Sequence, residues 1–168
     1  MFRPMSAAFA ASLACASPAL GGDKAIIRTL TDIAAGADRH DWPWVEAAFA
    51  ETVTTDYTSL WGGDPVTQPR GALVSGWAAF LPGFDATHHR VTNHSITMRT
   101  DDTATAEADF TATHRIHDGL WVLGGRYTYG LVKQDARWVV TDLTMLAVWE
   151  TGDRGLVGQA AARGGVTE

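Results

Sequence analysis

Two histidines, His89 and His114, have the residue type and the spacing for acid–base chemistry. His114 lies near the end of a stretch over 103–116 in which alanine, phenylalanine and isoleucine fill the other even positions, while threonine and acidic residues fill the odd positions up to 113. This alternation predicts a strand whose even-numbered side chains are buried. The small alanines favour a cavity beside His114 over a filled core. The pattern leaves open whether His114 fills the core or takes part in catalysis.

A carboxylate that could meet these histidines, Asp38, lies near the end of a predicted helix over 24–39. Apolar residues recur in that helix at helical spacing, and positions 27, 30, 34 and 38 follow the same steps of three and four residues. A carboxylate that faces the core must be paired or lose its charge. Beside His89, Asp38 would orient the imidazole as a general base. The alternative is that Asp38 only helps the chain turn into the next helix.

These groups together would suit the removal of a proton next to a carbonyl. His89 would be the base, His114 the acid across the cavity, and Tyr57 a donor to the carbonyl oxygen as charge develops there. Loss of a β-hydroxyl in the same reaction would make it a dehydration. Each positioned acid or base contributes a factor of about 10²–10⁴ in rate, so we expect neither a cofactor nor a metal ion.

The elements that must position these residues are helices followed by long strands. Helices are predicted over about 24–39, 43–49 and 71–81, with one strand over 51–60. Turn signals then separate four long strands, at about 87–100, 103–116, 120–133 and 138–150. Helices first and then a meander of strands predict an α+β fold, in which the helices cover one face of the sheet.

Several aromatic residues and one arginine are candidates for the cavity wall, although the aromatic ones could equally be ordinary core residues. His88 must point away from its neighbour His89 on the same strand, so it is expected in solvent. His40, His94 and His117 fall at turns or on the other face and are given no role. The candidate substrate-binding residues are Trp44, Trp61, Trp77, Phe80, Arg126, Tyr127 and Trp149.

The composition indicates one mildly acidic domain. A chain of 168 residues with a net charge of −6 lacks the basic surface that nucleic acid requires. A basic start, a small apolar run and a small-x-small site predict a signal peptide over 1–19, cleaved after Ala19, and export to the periplasm or the medium. Cleavage would remove Cys15, the only cysteine, and leave no membrane segment. We expect a single domain over 20–153 and a flexible tail over 154–168.

Five short motifs resemble the SnoaL-like branch of the nuclear transport factor 2-like superfamily, near scytalone dehydratase and bile-acid 7α-dehydratase. The motifs are Asp38-Arg39-His40-Asp41-Trp42, Asp56-Tyr57, Thr87-His88-His89, the alternating strand that carries His114, and Gly124-Gly125-Arg126-Tyr127. The similarity covers about 23–152. It implies a cone of curved, mostly antiparallel sheet closed by three helices.

The resemblance also implies roles for single residues. Asp38 would match the carboxylate that pairs with the catalytic histidine, His89 that histidine, and His114 the second active-site histidine. Tyr57 would match a tyrosine that polarises the substrate carbonyl. The chain departs from the family in two places. Ile33 and Ala37 stand where a helix tyrosine is frequent, and Tyr127 takes the place of a polar asparagine.

Three functions are compatible with the sequence. The first is a cofactor-free lyase or isomerase, dehydratase-like, that acts on a small hydrophobic carbonyl compound. The second is a non-catalytic exported module that binds a ligand or takes part in assembly, which a pH–rate profile would distinguish because such a module has no turnover. The third is metal chemistry by two histidines and a carboxylate, but the sequence lacks close ligand spacing. A sheet face rich in threonine and aromatic residues predicts a homodimer or homotrimer.

Overall fold

The computed structural model describes residues 19–164. The helices are α1 (Ala19–Arg39), α2 (Trp42–Ala47), α3 (Thr58–Trp61), α4 (Arg70–Phe80) and α5 (Leu156–Gly164), and a 3₁₀ turn, Leu81–Gly83, follows α4. The strands are β1 (Phe49–Asp56), β2 (Val66–Pro69), β3 (Ala86–Met98), β4 (Thr103–Ile116), β5 (Gly119–Gln134) and β6 (Arg137–Gly152). Residues 1–18, which hold nearly all of the predicted signal peptide, lie outside the described part.

The six strands form one sheet in the order β2-β1-β6-β5-β4-β3. All neighbours pair antiparallel except β1 and β6, which are parallel. Register shifts interrupt the pairings of β3 with β4 and of β5 with β6, and such bulges increase the local twist and bend a sheet. The predicted α+β fold with a curved, mostly antiparallel sheet is confirmed.

The alternation of β4 is also confirmed. Every even-numbered residue from Ala104 to Ile116, including His114, is buried, whereas the odd-numbered residues are half-buried or exposed. The buried face packs under the helices and forms most of the core together with β5 and β6.

Helix α1 covers the buried face of the sheet by contacts with β3 and β6. Its stripe of Ile26, Leu30, Ile33 and Ala37 is buried, as the helical spacing predicted. The helix begins at Ala19, five residues before the predicted start at residue 24. No helix within residues 19–164 combines the length and the apolar character needed to span a bilayer.

The chain leaves β1 earlier than the predicted strand over 51–60. The carboxylate of Asp56 accepts hydrogen bonds from the backbone N–H and the hydroxyl of Thr58, at 2.9 and 2.7 Å. These bonds satisfy an N–H that a new helix leaves without a partner, and therefore favour the start of α3 at this point. As a result Tyr57 is the residue that precedes α3 rather than part of a strand, and it lines the cavity described below.

The C-terminal region is a helix rather than the predicted flexible tail, at least as far as residue 164. Leu156 and Ala160 of α5 are buried, and the helix packs against α4 and the 3₁₀ turn. The contact is close: a β-carbon on Gly83 would lie 2.0 Å from the carbonyl oxygen of Ala160. Small residues that look flexible in the sequence therefore allow two backbones to approach each other.

Candidate active site

A cavity of about 200 Å³ lies between α1, α3, α4 and the buried face of the sheet. Aliphatic and aromatic side chains make up most of its wall. Its polar side chains are two histidines and three tyrosines, while no lysine or arginine of the described chain lines it. An apolar cavity of about 150 Å³ is large enough for benzene, so this one can hold a compound with a single ring.

Asp38 and His89 meet at the edge of this cavity, as predicted. Oδ1 of Asp38 is 2.7 Å from Nδ1 of His89, and Oδ2 accepts the backbone N–H of the same histidine at 2.7 Å. The hydroxyl of Thr87 donates a third hydrogen bond to the carboxylate, at 2.9 Å. Burial alone would raise the pKa of the Asp38 carboxyl, but the hydrogen bonds and charge of His89, together with Thr87, lower it. Asp38 therefore stays ionised beside His89.

Strand geometry explains why this carboxylate finds both partners. Thr87 and His89 are two residues apart on β3 and so point to the same face, toward the end of α1, whereas His88 between them points outward and is exposed. The opposite strand pairs Thr87 with His114 and His89 with Ala112. The small side chain of Ala112 leaves space in front of the His89 imidazole.

His114 lies 5.4 Å from His89 between ring centroids, with the two rings perpendicular. The rings of Phe84 and Trp121 lie 4.8 and 4.6 Å from it. Its side chain is buried, and Nδ1 has no hydrogen-bond partner among the described residues. Burial, and to a smaller extent the nearby His89, lower the pKa of the His114 imidazole to about 4. The backbone of Trp121 and the Asp38 carboxylate act in the opposite direction and raise this pKa in part.

The imidazole of His114 is therefore neutral near pH 7. A neutral imidazole can donate one N–H to a hydrogen bond but does not carry an additional proton to transfer. His114 therefore cannot supply a proton near pH 7 as the predicted acid would, but it can donate a hydrogen bond. The prediction that His114 faces the same cavity as His89 is confirmed.

Three tyrosines, Tyr57, Tyr127 and Tyr129, line the cavity. Burial raises the pKa of all three phenols, and the nearby Tyr57 and Tyr127 groups and the Asp38 carboxylate raise these pKa values further. All three are neutral hydrogen-bond donors at physiological pH. Tyr129 was not predicted, although period-two alternation along β5 places it on the face that also carries Tyr127 and Trp121.

Of the predicted wall residues, Trp61, Trp77, Phe80 and Tyr127 line the cavity. Trp44 and Arg126 do not. Arg126 alternates with the inward-facing Tyr127, so it points outward, with a side chain 70% exposed and 3.9 Å from Asp109. Trp44 lies on α2, where Arg39 covers its ring at 5.4 Å and a surface groove runs beside it.

Trp149 is also absent from the cavity, because β6 contains a β-bulge at Val148. The extra residue lies opposite the step between Gly124 and Gly125. Before the bulge, Met145 lines the cavity; after it, Trp149 lies against Gly124 and is 47% exposed. One extra residue reverses the alternation of a strand, which places the next residue, Glu150, on the inner side.

The described part of the chain contains no group of three or more histidine, cysteine, aspartate or glutamate side chains arranged to hold a metal ion. Asp38 and His89 are directly hydrogen-bonded, and His114 is enclosed by aromatic rings. The arrangement provides an oriented imidazole base, one neutral imidazole donor and three phenols around an apolar space.

Comparison with known proteins identifies a family. The SnoaL-like domain family matches residues 20–144. No curated protein matches the chain. Among solved structures, the Kfla4162 protein from Kribbella flavida is 26% identical with a TM-score of 0.75, over 79% of this chain and 95% of that one.

Two further structures share the fold at lower identity. A candidate scytalone dehydratase from Novosphingobium aromaticivorans is 22% identical with a TM-score of 0.69, over 80% of this chain and 89% of that one. The hexachlorocyclohexane dehydrochlorinase LinA-type3 from Novosphingobium barchaimii is 18% identical with a TM-score of 0.65, over 81% of this chain and 92% of that one. The family match spans well over half of the chain, so the protein belongs to the SnoaL-like domain family, within the nuclear transport factor 2-like superfamily.

Proposed function

We propose that the protein is a cofactor-free dehydratase-like lyase or isomerase that removes a proton next to the carbonyl of a small hydrophobic compound. The observation that carries the proposal is the hydrogen-bonded pair of Asp38 and His89 at the edge of an apolar cavity that His114 also lines. A half-buried, hydrogen-bonded polar pair beside an apolar cavity is poorly explained by core packing alone. The resemblance of the chain to dehydratases supports the same class of reaction.

The hydrogen bond to Asp38 decides which nitrogen of His89 would act. With Nδ1–H donated to the carboxylate, Nε2 carries the lone pair and is the base. Nε2 takes the proton from the carbon next to the carbonyl, and the electron pair moves to the carbonyl oxygen. The phenol of Tyr57 donates a hydrogen bond to that oxygen as its negative charge develops. Asp38 stabilises the imidazolium that forms on His89.

Loss of water completes the reaction. The electron pair returns from the oxygen, the bond from the β-carbon to its hydroxyl breaks, and the departing hydroxide takes the proton from His89. The neutral imidazole of His114 donates a hydrogen bond to the departing oxygen. A β-hydroxy ketone thus becomes an unsaturated ketone and water, with no oxidant, reductant or metal consumed.

A screen of single-ring β-hydroxy ketones tests the proposal, because the conjugated product absorbs ultraviolet light that the substrate does not. We expect turnover by the wild type, and losses of about 10²–10⁴-fold in His89→Ala and Asp38→Asn. His88→Ala, one residue away and exposed, is the matched control and should retain full activity. Retained turnover in both site variants would contradict the mechanism. Tight binding of these compounds with no turnover would instead identify a ligand-binding module.

We also propose that the protein is exported. The support is the sequence of residues 1–19, whose basic start, apolar run and small-x-small site are typical of a signal peptide. Cleavage after Ala19 would leave Leu20 as the first residue. Sequencing the N-terminus of the protein from the periplasm and the medium of expressing cells tests this; an intact Met1 in the mature protein would contradict it.

A homodimer or homotrimer is proposed as well. The large apolar residues exposed near the end of β6, Leu146, Val148 and Trp149, support it, because exposed apolar groups of this size mark interaction surfaces. Light scattering coupled to size-exclusion chromatography would measure the mass. A monomer at all concentrations would contradict the proposal.

A further inference from the structure

Arg154, in the turn between β6 and α5, contacts three groups around the cavity entrance. Its Nη1 is 2.7 Å from Oε1 of Glu150. Its Nη2 donates to the carbonyl oxygen of Leu60 at 2.7 Å, and its Cζ lies 5.3 Å from the ring centroid of Trp61. Leu60 and Trp61 are the last residues of α3, where helix carbonyls lack partners within the helix. One guanidinium therefore holds the end of this short helix.

Trp61 lies at the boundary between the cavity and solvent. It lines the cavity and is 48% exposed, whereas the other lining residues of the described chain are buried or half-buried. The two residues that follow, Gly62 and Gly63, have φ of 72° and 79° and no neighbouring atoms within 4 Å of where a β-carbon would be. Glycine adopts such angles without strain, so the backbone after Trp61 can change conformation without breaking packing.

The Glu150 carboxylate, which pairs with Arg154, is also connected to His114 through Trp121. The second carboxylate oxygen of Glu150, Oε2, accepts the indole N–H of Trp121 at 3.0 Å. The buried ring of Trp121 lies 4.6 Å from His114 on one side and 6.0 Å from Trp61 on the other. A chain of contacts thus runs from the exposed Arg154 to the buried imidazole.

We propose that Arg154 and Glu150 form a clamp that controls entry into the cavity through Trp61 and fixes Trp121 against His114. Both are positioning residues, since neither lines the cavity. When Arg154 loses its contacts with the Leu60 carbonyl and the Trp61 ring, Trp61 can move outward because Gly62 and Gly63 follow it. A ring compound can then enter the cavity. The control of entry does not depend on the proposed function, whereas the effect on His114 matters for catalysis only if the proposed function holds.

An anion site at Arg154 would be the obvious alternative. The carboxylate of Glu150 already pairs with this guanidinium, and the remaining contacts use its Nη2 and its face. An arginine that stacks on an indole while it binds a carboxylate and a carbonyl uses the planar, forked geometry that lysine lacks. This favours a structural clamp over a substrate carboxylate site.

Hydrogen exchange tests the clamp without any ligand. The amides of Trp61 and Gly62 are bonded to the carbonyl oxygens of Tyr57 and Thr58, at 3.0 and 2.8 Å. In Arg154→Ala we expect both amides to exchange about tenfold faster, since a cation–π contact and a charged hydrogen bond are lost. Arg115→Ala, an exposed arginine on β4, is the matched control. Exchange at the wild-type rate in Arg154→Ala would overturn the clamp.

Binding kinetics test control of entry. Nitrobenzene is an uncharged single-ring compound that quenches tryptophan emission, so stopped-flow mixing reports its entry and exit. In Arg154→Ala both rate constants should rise about tenfold with little change in Kd, because the clamp touches the entrance and not the bound ring. Arg154→Lys should behave like the alanine variant. A rise in the dissociation rate alone, or no binding to the wild type, would contradict control of entry.

The link to His114 has its own readout. In Glu150→Ala the indole of Trp121 loses its acceptor, so the ring-current shift of the His114 imidazole protons should change in NMR spectra, while the His88 signal stays fixed. An unchanged His114 signal would overturn this part. Failure of the proposed function would appear separately, as turnover retained in His89→Ala while Arg154→Ala still accelerates entry.

Discussion

His89 and His114 stand on adjacent strands with ring centroids 5.4 Å apart, yet their surroundings are opposite. His89 is bonded through its side chain and its backbone to one ionised carboxylate, which Thr87 also supports. His114 has an unpartnered Nδ1 in the described chain and lies between aromatic rings, which lower its pKa to about 4 by burial. The comparison shows that two neighbouring residues of the same type can have different acid–base properties. Their hydrogen bonds and their burial decide these properties, and the residue type alone does not reveal either.

The strongest test of the comparison is whether Asp38 and His89 act as one unit. We expect His89→Ala to lose about 10²–10⁴-fold in turnover, and Asp38→Ala/His89→Ala to lose no more, since an orienting carboxylate has nothing left to orient. Asp109→Ala, which removes an exposed carboxylate on β4, is the control. Losses that multiply in the double variant would show that Asp38 acts separately from His89.

The second test uses pH, because burial of His114 should make the folded protein less stable in acid. The imidazole has a folded pKa of about 4 against an ordinary 6.5, so the unfolded state binds the proton first as the pH falls. The free energy of unfolding should therefore decrease from about pH 6.5 down to pH 4, by about 3 kcal/mol.

In His114→Gln this decrease should be much smaller, with the remainder due to His94, whose pKa burial also lowers, whereas His88→Gln should retain the full decrease. The lowered pKa of Asp38 also favours the folded state at higher pH, but this contribution is lost only as the pH falls through the ordinary carboxyl pKa of 3.8, and it is common to both variants. Urea unfolding at a series of pH values measures the difference. Parallel curves for the wild type and His114→Gln would contradict the assigned environment.

The third test replaces each imidazole by an apolar ring. His114→Phe removes a buried nitrogen without a partner and should raise the free energy of unfolding at pH 7 by about 1–3 kcal/mol. His89→Phe should lower it by a similar amount, because Asp38 then keeps a half-buried charge without its main partner. Both variants should lose turnover. Changes of stability in the same direction would remove the distinction between the two sites.

The smallest effect is expected at the edge of the pair. Thr87→Val keeps the shape of the side chain but removes one of the hydrogen bonds to Asp38, which should lower the free energy of unfolding by about 1 kcal/mol. Turnover should fall less than in Asp38→Asn, since the two bonds between Asp38 and His89 remain. Thr92→Val, an exposed threonine on the same strand, is the control.

Much of this site was predictable from periodicity. Alternation in β4 placed His114 on the buried face, and the helical stripe of α1 placed Asp38 toward the sheet. Neither pattern could show that the end of α1 meets β3 at His89, because that contact depends on how the helix packs across the sheet. The absence of a partner for Nδ1 of His114 in the described chain depends in turn on aromatic neighbours that are distant in the sequence, Phe84 before β3 and Trp121 on β5.

Other features escaped prediction because single atoms decide them. The hydrogen bonds of Asp56 to Thr58 end β1 and begin α3, although the sequence continues with alternating residues. The tail looked flexible because alanine and glycine dominate it, yet small side chains are what allow α5 to pack tightly on Gly83. The prediction that Trp149 lines the cavity also failed, since no residue type in the sequence indicates the bulge before it.

The bulge at Val148 makes the inner surface of β6 sensitive to strand register as well as to sequence. Closing the bulge with every residue retained would shift the pairing of β6 with β5 by one residue beyond this point, so that Trp149 would lie opposite Leu123 and point inward while Glu150 would point outward. A carboxylate beside Trp121 would then be exchanged for an indole with no substitution at either position. A slip of one residue in strand pairing thus offers evolution a direct route from one pocket chemistry to another on an unchanged scaffold.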